Sequence, residues 1–317
     1  MNPQPIIPPV PVGDIERELT PERFLRHTNK ADNEIYIVDA HCAPNVMREI
    51  GRLREISFRA GGGGTGKECD IDEFDTMTPP CQQLLVWNPR DKEIIGAYRF
   101  ILGENIAMLP SGEPRIATAH MFRFSPRFVN EFLPYTIELG RSFVRLEYQS
   151  TRIGVQAIFA LDNLWDGLGA LTVKYPQIKY LFGKMTMYPT YERSCRNLLL
   201  HFLAIYFPDP DKLVTPFEPL TDTGIDEPEL QNFFVGNDFK EDYRRLNGYI
   251  RSHGITIPPL VNAYMSLSPT MRIFGTAINH EFGEVEETGI FYILDEIADE
   301  KKSRHIDTFI EQAYNSL

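Results

Sequence analysis

Between Thr136 and Gln149 the chain reads TIELGRSFVRLEYQ. Thr136, Ile137, Leu139, Phe143, Val144 and Tyr148 are β-formers, so this stretch predicts a strand. Glu138, Arg141 and Arg145 sit inside that apolar frame. Gly140 interrupts it, as expected at a bulge or where a ligand approaches the backbone. A carboxylate with arginines on one short strand suits an acid/base and anion site. Taken alone, the segment fits a surface strand with solvated charges at least as well. The flanking sequence decides between the two.

Upstream, PIIPPVPV places a proline-rich arm over residues 1–30, extended and loosely packed on the surface or on a partner subunit. EIYIVD, from Glu34 to Asp39, predicts a strand. Val46, Ile50, Leu53 and Ile56 give residues 43–59 a helical apolar face, with Phe58 close to it. GGGGTGK follows. Gly61, Gly66 and Lys67 imitate a phosphate loop, but position 68 is Glu and supplies no hydroxyl for Mg²⁺. The preceding element is a helix where a phosphate loop needs a strand. A mobile loop closing over a site is the expectation instead. Asp70, Asp72, Glu73 and Asp75 then form an acidic cluster, read either as a solvated loop or as an ion-pair network.

Downstream of the loop, QQLLVW and EIIGAYRFI flank the turn Asn88-Pro89-Arg90-Asp91 and predict an antiparallel hairpin carrying Arg99. After the opening stretch come a helix over 159–175, a strand over 178–187 and a helix over 191–207. FPDPDKLVTPFEPL is a proline-punctuated connection. Helices over 240–252 and from Pro258-Pro259 to Leu267, a strand at GIFYIL and a terminal helix complete the chain. Three parts are expected: the arm, a core over 31–207, and a C-terminal extension over 208–317 packed on it.

The composition excludes several classes. Of 317 residues, 43% are hydrophobic and 24% charged, a globular balance. No apolar run approaches the ~20 residues of a membrane span, and the N-terminus lacks a signal-peptide pattern. The four cysteines and seven histidines show no metal-ligand spacing, so no metal is expected. A net charge of −12 argues against nucleic acid. Residues 115–200 nevertheless carry 11 Lys/Arg against 6 Asp/Glu, a net of +5 that suits an anionic partner.

The element order β–α–β–β–β–α–β–α resembles the GNAT acyltransferase fold, a mixed α/β architecture with a splayed central sheet. The charged residues sharpen the resemblance to its acyl-homoserine-lactone-synthase-like branch. Arg54 and Phe58 match an arginine followed four residues later by phenylalanine. Asp72 and Asp75 match an acidic pair spaced by three. Arg99 matches the hairpin arginine, and Glu138 with Arg141 the central-strand pair. The family's loop tryptophan is replaced by glycines. LREISFRAGGGGTGK, DIDEFD, IIGAYRF, ELGRSFV, LDNLWDGLGAL, FGKMTMYP and IPPLVNAYMSLSPTMRIFGTAINHEFG are more closely similar to the amino-acid N-acyltransferases of ornithine-lipid and glycine-lipid synthesis. Members often carry the label hemolysin-like, which no pore, signal or toxin feature here supports.

That resemblance implies transfer of a 3-hydroxyacyl group from an acyl carrier protein thioester to an amino acid. It implies no permanently bound cofactor, with acyl-phosphopantetheine or acyl-coenzyme A as donor. The usual coenzyme A pyrophosphate pattern, Q/R-x-x-G-x-G/A, is incomplete in QSTRIGVQA, which favours the carrier protein. The rival readings are a coenzyme-A-dependent acetyltransferase and a non-catalytic acyl-carrier or lipid-binding module. Glu138 is the expected base. Arg141 and Arg99 are expected to hold the acceptor carboxylate or orient Glu138. Arg54, Phe58, Asp72, Asp75, Phe143, Arg145 and Gly154 are expected to complete the substrate site. Tyr148 or Tyr188 is the expected proton donor to the thiolate, and Phe274, Asn279, Glu281 and Phe282 are acceptor-pocket candidates. The expected location is the cytoplasm, with transient membrane contact at most.

Overall fold

A computed structural model describes residues 3–149, 155–221, 224 and 232–315. Helix α1 (Val12–Glu18) and strands β1 (Phe24–His27) and β2 (Glu34–Val38) open the chain, followed by helix α2 (Pro44–Gly61) and the short helix α3 (Glu73–Thr76). Strands β3 (Gln82–Asn88), β4 (Glu93–Leu102), β5 (Phe122–Phe124) and β6 (Thr136–Val144) precede helix α4 (Val155–Lys174). Then come β7 (Tyr180–Met187), α5 (Arg193–Tyr206), β8 (Val214–Pro216), α6 (Phe239–Ser252) and α7 (Pro259–Met265). Strands β9 (Arg272–Asn279) and β10 (Val285–Ile293) and helices α8 (Asp299–Lys302) and α9 (Thr308–Asn315) end it.

The main sheet has eight strands in the order β1-β2-β3-β4-β6-β7-β10-β9. The strand read first from the sequence, β6, is interior. It runs antiparallel to β4 and parallel to β7. Side-chain alternation assigns each face its cover. On one face, Val46, Ile50, Leu53 and Phe58 of α2 pack against Leu85, Ala97 and Phe143. On the other, Leu164 and Leu168 of α4, Leu198 of α5 and Leu246 of α6 pack against Leu84, Tyr98 and Ile137. A phenylalanine cluster, including Phe128, Phe182, Phe274 and Phe291, fills the first face beyond α2. The sheet accommodates the C-terminal region directly, because β10 pairs with β7 along its full length.

Several expectations change. The arm is not loosely packed: Gln4 and Ile7 donate backbone N–H groups to Gly66 O (2.8 Å) and Glu68 O (3.1 Å). The Val10 N–H donates to Glu49 Oε2 at 3.0 Å. The glycine loop has a fixed anchor in buried Glu55. Its carboxylate accepts from the Thr65 hydroxyl (2.8 Å), the Thr65 N–H (3.1 Å) and the Gly66 N–H (2.8 Å). A protein carboxylate therefore takes the amides that a phosphate loop would offer its ligand. The acidic cluster is not a solvated loop, since Asp70 and Asp75 are buried. Strand β9 was not read from the sequence. Gly275 interrupts RIFGTAIN at φ +88°, and the pairing with β10 shifts register there. Among the described residues no helix is long and apolar enough to cross a membrane.

Candidate functional site

Strands β6 and β7 pair only at Thr136–Tyr180, Ile137–Leu181 and Glu138–Phe182. Both strands run on, to Val144 and Met187, without further pairing between them. The ladder therefore opens just after Glu138 and leaves a wedge through the sheet. On its other side β6 carries a bulge: Arg99 pairs with Gly140 and Ala97 with Phe143, so β6 has one extra residue. The bulge puts Arg141 at φ +47°, a strained conformation for a residue with a Cβ. Gly140 is the expected gap, and a Cβ added there would meet nothing within 4 Å. That open space is the wall of a cavity of about 1310 Å³.

The cavity joins two unlike halves. On the α2 face it is charged. Arg99 Nη1 donates to both Asp72 oxygens at 2.7 Å and lies 3.4 Å from Asp75. Arg54, fully buried, reaches Asp75 at 3.1 Å and donates to Gln83 Oε1 at 2.6 Å. Asp72 also N-caps α3 in a reciprocal capping box with Asp75. Arg141 Nε lies 3.1 Å from Asp70 Oδ2, off the hydrogen-bonding direction, and its guanidinium stacks 4.4 Å over Phe282. Lys184 Nζ donates to Glu287 Oε2 at 2.5 Å.

The titrations follow from this layout. Burial pushes the Glu138 carboxyl up, against the opposing charges of Arg99 and Lys184. Burial also raises Asp70, against Arg141 and Arg54. Burial would raise Asp72 too, but the charge and hydrogen bond of Arg99 outweigh it and hold that carboxyl well below its usual range. For Glu287, burial is likewise outweighed by Lys184, and the carboxyl is lowered. One strand thus carries a carboxyl with raised proton affinity while Asp72 and Glu287 nearby are shifted the other way, the separation that acid/base work needs.

On the α4 face the cavity is apolar. Leu164, Trp165 and Leu168 of α4 face Leu260 and Tyr264 of α7 and Leu267 just beyond it. Tyr98 and Tyr264 bring their hydroxyls to 3.4 Å inside this branch. The wedge between β6 and β7 connects the two halves, so a flexible chain on one side meets a polar group on the other at Glu138 and Gly140.

Of the residues singled out in the sequence, Glu138, Arg141, Arg99, Phe58, Asp72 and Phe143 line the cavity. Arg54 and Asp75 stand behind that wall and hold it. Arg145 is not brought in: just past the end of β6 it pairs with Glu93 (2.5 Å) and Glu147 (3.0 Å). Gly154 lies outside the described residues. Tyr148 lines the cavity but donates its hydroxyl to Glu93 Oε1 at 2.6 Å. Tyr188 lines it beside Gly61. Asn279, Glu281 and Phe282 also line it, whereas Phe274 belongs to the phenylalanine cluster. Lys184 and Glu287 were not anticipated. Their only sequence signal is that Lys184 alternates onto the same face as Thr186 along β7. Glu192, Cys195 and His253 place ligand atoms within 4.8 Å of one another, a grouping with no sequence spacing to announce it. The Glu192 carboxylate already caps α5 through the Cys195 N–H at 2.7 Å, and burial pushes the Cys195 thiol up to about 12. Within the basic stretch of residues 115–200, Arg141, Arg145, Lys184 and Arg196 have acidic partners.

Residues 53–157 match the acetyltransferase (GNAT) domain family. The chain is 60% identical over 98% of its length to a glycine N(alpha)-acyltransferase of Bacteroides thetaiotaomicron, covering 92% of that protein. It is 58% identical over 97% of its length to one of Phocaeicola vulgatus, covering 94% of it. A solved N-acyl amino acid synthase, FeeM from uncultured soil microbes, aligns at 10% identity with a TM-score of 0.41, over 83% of this chain and 93% of that one. With near-complete coverage at this identity, the chain belongs to the glycine N(alpha)-acyltransferase family and is a GNAT-fold enzyme that acylates the amino group of an amino acid.

Proposed function

We propose that this enzyme transfers a 3-hydroxyacyl group from an acyl carrier protein thioester to the α-amino group of glycine. The observation that carries the reading is the wedge after Glu138, where an apolar branch and a charged pocket meet in one cavity. The named relatives support glycine as acceptor. The incomplete pyrophosphate pattern in QSTRIGVQA supports the carrier protein as donor.

In this reading the acyl chain lies between α4 and α7 and the thioester carbonyl sits in the wedge. Glycine enters from the charged face. Its ammonium must lose a proton to attack, and Glu138, with its raised proton affinity, takes it directly or through a water. The N–C bond forms as the carbonyl becomes an oxyanion. Backbone N–H groups beside Gly140, where β6 no longer pairs with β7, receive that charge, a contribution of roughly 3–4 kcal/mol per donor elsewhere. As the C–S bond breaks, the attacking nitrogen sheds its second proton to become the neutral amide, and the departing thiolate takes a proton from the Tyr188 hydroxyl, which is refilled from that nitrogen directly or through water. Burial pushes that hydroxyl up, so it stays neutral and serves as a proton relay that is not left ionised. Arg99, Asp72, Arg54 and Asp75 act as a rigid frame that fixes β4, α2 and α3 around Glu138.

The test supplies the purified protein with acyl carrier protein thioesters or acyl-coenzyme A, each with glycine, ornithine or no acceptor. N-acylglycine from the carrier-protein donor is expected. Equal product from acyl-coenzyme A overturns the donor assignment, preference for ornithine overturns the acceptor, and binding of donor without product favours a non-catalytic module.

A further inference from the structure

Four cations stand on or behind the charged face, and three are already committed. Arg54 is fully buried against Asp75. Arg99 is held by Asp72 and Asp75. Arg141 lies between Asp70 and Asp72 over the Phe282 ring. Lys184 differs from all three. It stands on β7 just past Phe182, the last residue paired with β6, and so faces the open wedge. An ammonium has three donors, and Glu287 Oε2 accepts one of them at 2.5 Å. Asn279 Nδ2 (2.9 Å) and the Thr186 hydroxyl (3.3 Å) donate to the same carboxylate, so Glu287 is itself fixed. Lys184 lines the cavity, and its charge is close enough to oppose the protonation of Glu138.

We propose that Lys184, oriented by Glu287 and Asn279, anchors the carboxylate of the acceptor amino acid. The proposal rests on the acyl-transfer reading above and adds the recognised group. An α-amino acid carries its carboxylate one carbon from its amine. Lys184 on β7 and Glu138 on β6 stand on either side of one wedge, close enough for the lysine charge to act on the carboxyl. An acceptor without a carboxylate leaves the remaining Lys184 donors unpaired once the acyl chain closes the cavity, which disfavours it. Arg99 and Arg141, the cations expected from the sequence, are left as the frame around this site.

The test compares glycine with glycinamide as acceptors, using both carrier-protein and coenzyme A thioesters. Glycinamide gives up its ammonium proton more easily, so chemistry alone favours it. The wild-type enzyme is nevertheless expected to prefer glycine in kcat/KM by about tenfold or more, the scale of one hydrogen bond to a charged group. Lys184→Met should raise the glycine KM by a similar factor, leave the donor KM unchanged and erase the preference. Because it strands Glu287, the paired variant Lys184→Met/Glu287→Gln is measured alongside. A purely structural role would slow both acceptors equally and leave their ratio intact. An unchanged ratio in a folded variant, or a wild-type enzyme indifferent to the carboxylate, overturns the anchor alone. Absence of N-acylglycine from either donor overturns the acyl-transfer reading, and the anchor with it.

Discussion

The two halves of the cavity are built on opposite principles. On the α2 face charges stand within a few ångströms of one another, several fully buried, and Arg54, Arg99, Asp72 and Asp75 are each fixed by two or more partners. On the α4 face, mostly apolar side chains from α4 and α7 enclose the space, with the Tyr98–Tyr264 hydroxyl pair among few directional bonds. Buried charge is tolerable only when paired, so removing one member strands the other at a cost of roughly 3–5 kcal/mol. Apolar side chains of similar size exchange for less than about 1.5 kcal/mol. The charged half should therefore fail abruptly when altered, and the apolar half should retune.

The largest effect on turnover is expected at Glu138. Glu138→Gln keeps the shape of the side chain and removes the proton acceptor. Its kcat should fall by about 10²–10⁴, the range for a general base, with melting temperature little changed. The wild-type pH–rate profile should rise through a value above the ordinary carboxylate range, because burial holds Glu138 protonated at lower pH. A variant with the same rate and profile would remove Glu138 from the chemistry.

Stability should suffer most at Arg54. Arg54→Met takes from buried Asp75 its nearer charged partner and leaves Arg99 at 3.4 Å, and denaturant titration should read a loss of up to about 3–5 kcal/mol. A loss below ~1 kcal/mol would mean that this half is not over-determined. Asp72 gives the corresponding pH signature. Its folded-state pKa lies below the unfolded value, so the unfolded chain binds more protons in acid. The stability it contributes is complete above the ordinary carboxylate range near ~3.9 and disappears as pH falls through the lowered value. Asp72→Asn should flatten that acid limb of the stability curve.

A subtler change is expected in the apolar half. Leu168→Phe narrows the branch, and the preference should move to shorter acyl chains with acceptor KM unchanged. Each methylene excluded costs ~0.8 kcal/mol of donor binding. Unchanged chain-length preference would place the chain elsewhere. Least of all is expected from Arg145→Gln, whose pairs with Glu93 and Glu147 are partly solvated. It should shift stability by less than about 1 kcal/mol and leave kinetics alone.

The same contrast explains what was legible in the sequence. Glu138 and Arg141 stand out as charges within an apolar run, Arg54, Asp72, Asp75 and Arg99 were singled out by the resemblance to the acyl-homoserine-lactone-synthase-like pattern, and the structure brings all six together. Arg145 was misplaced because it falls just past the end of β6, where its N–H donates to Ile95 O and its side chain meets Glu93 at the start of β4. Lys184 escaped because one lysine on a half-polar strand has the sequence pattern of a solvated residue. Its partner Glu287 comes from β10, and only the β7–β10 register brings them together. The apolar half was least legible, because leucines lining a cavity and leucines packing a core have the same periodicity.

The most direct test of the account is a crystal structure with glycine and a non-hydrolysable thioether analogue of the acyl-phosphopantetheine donor. The analogue's sulfur is expected in the wedge beside Gly140, its chain between Leu164, Leu168 and Tyr264, and the glycine nitrogen facing Glu138. An acyl chain lying along Asp72 and Arg99, or a donor bound away from the β6–β7 wedge, would contradict it.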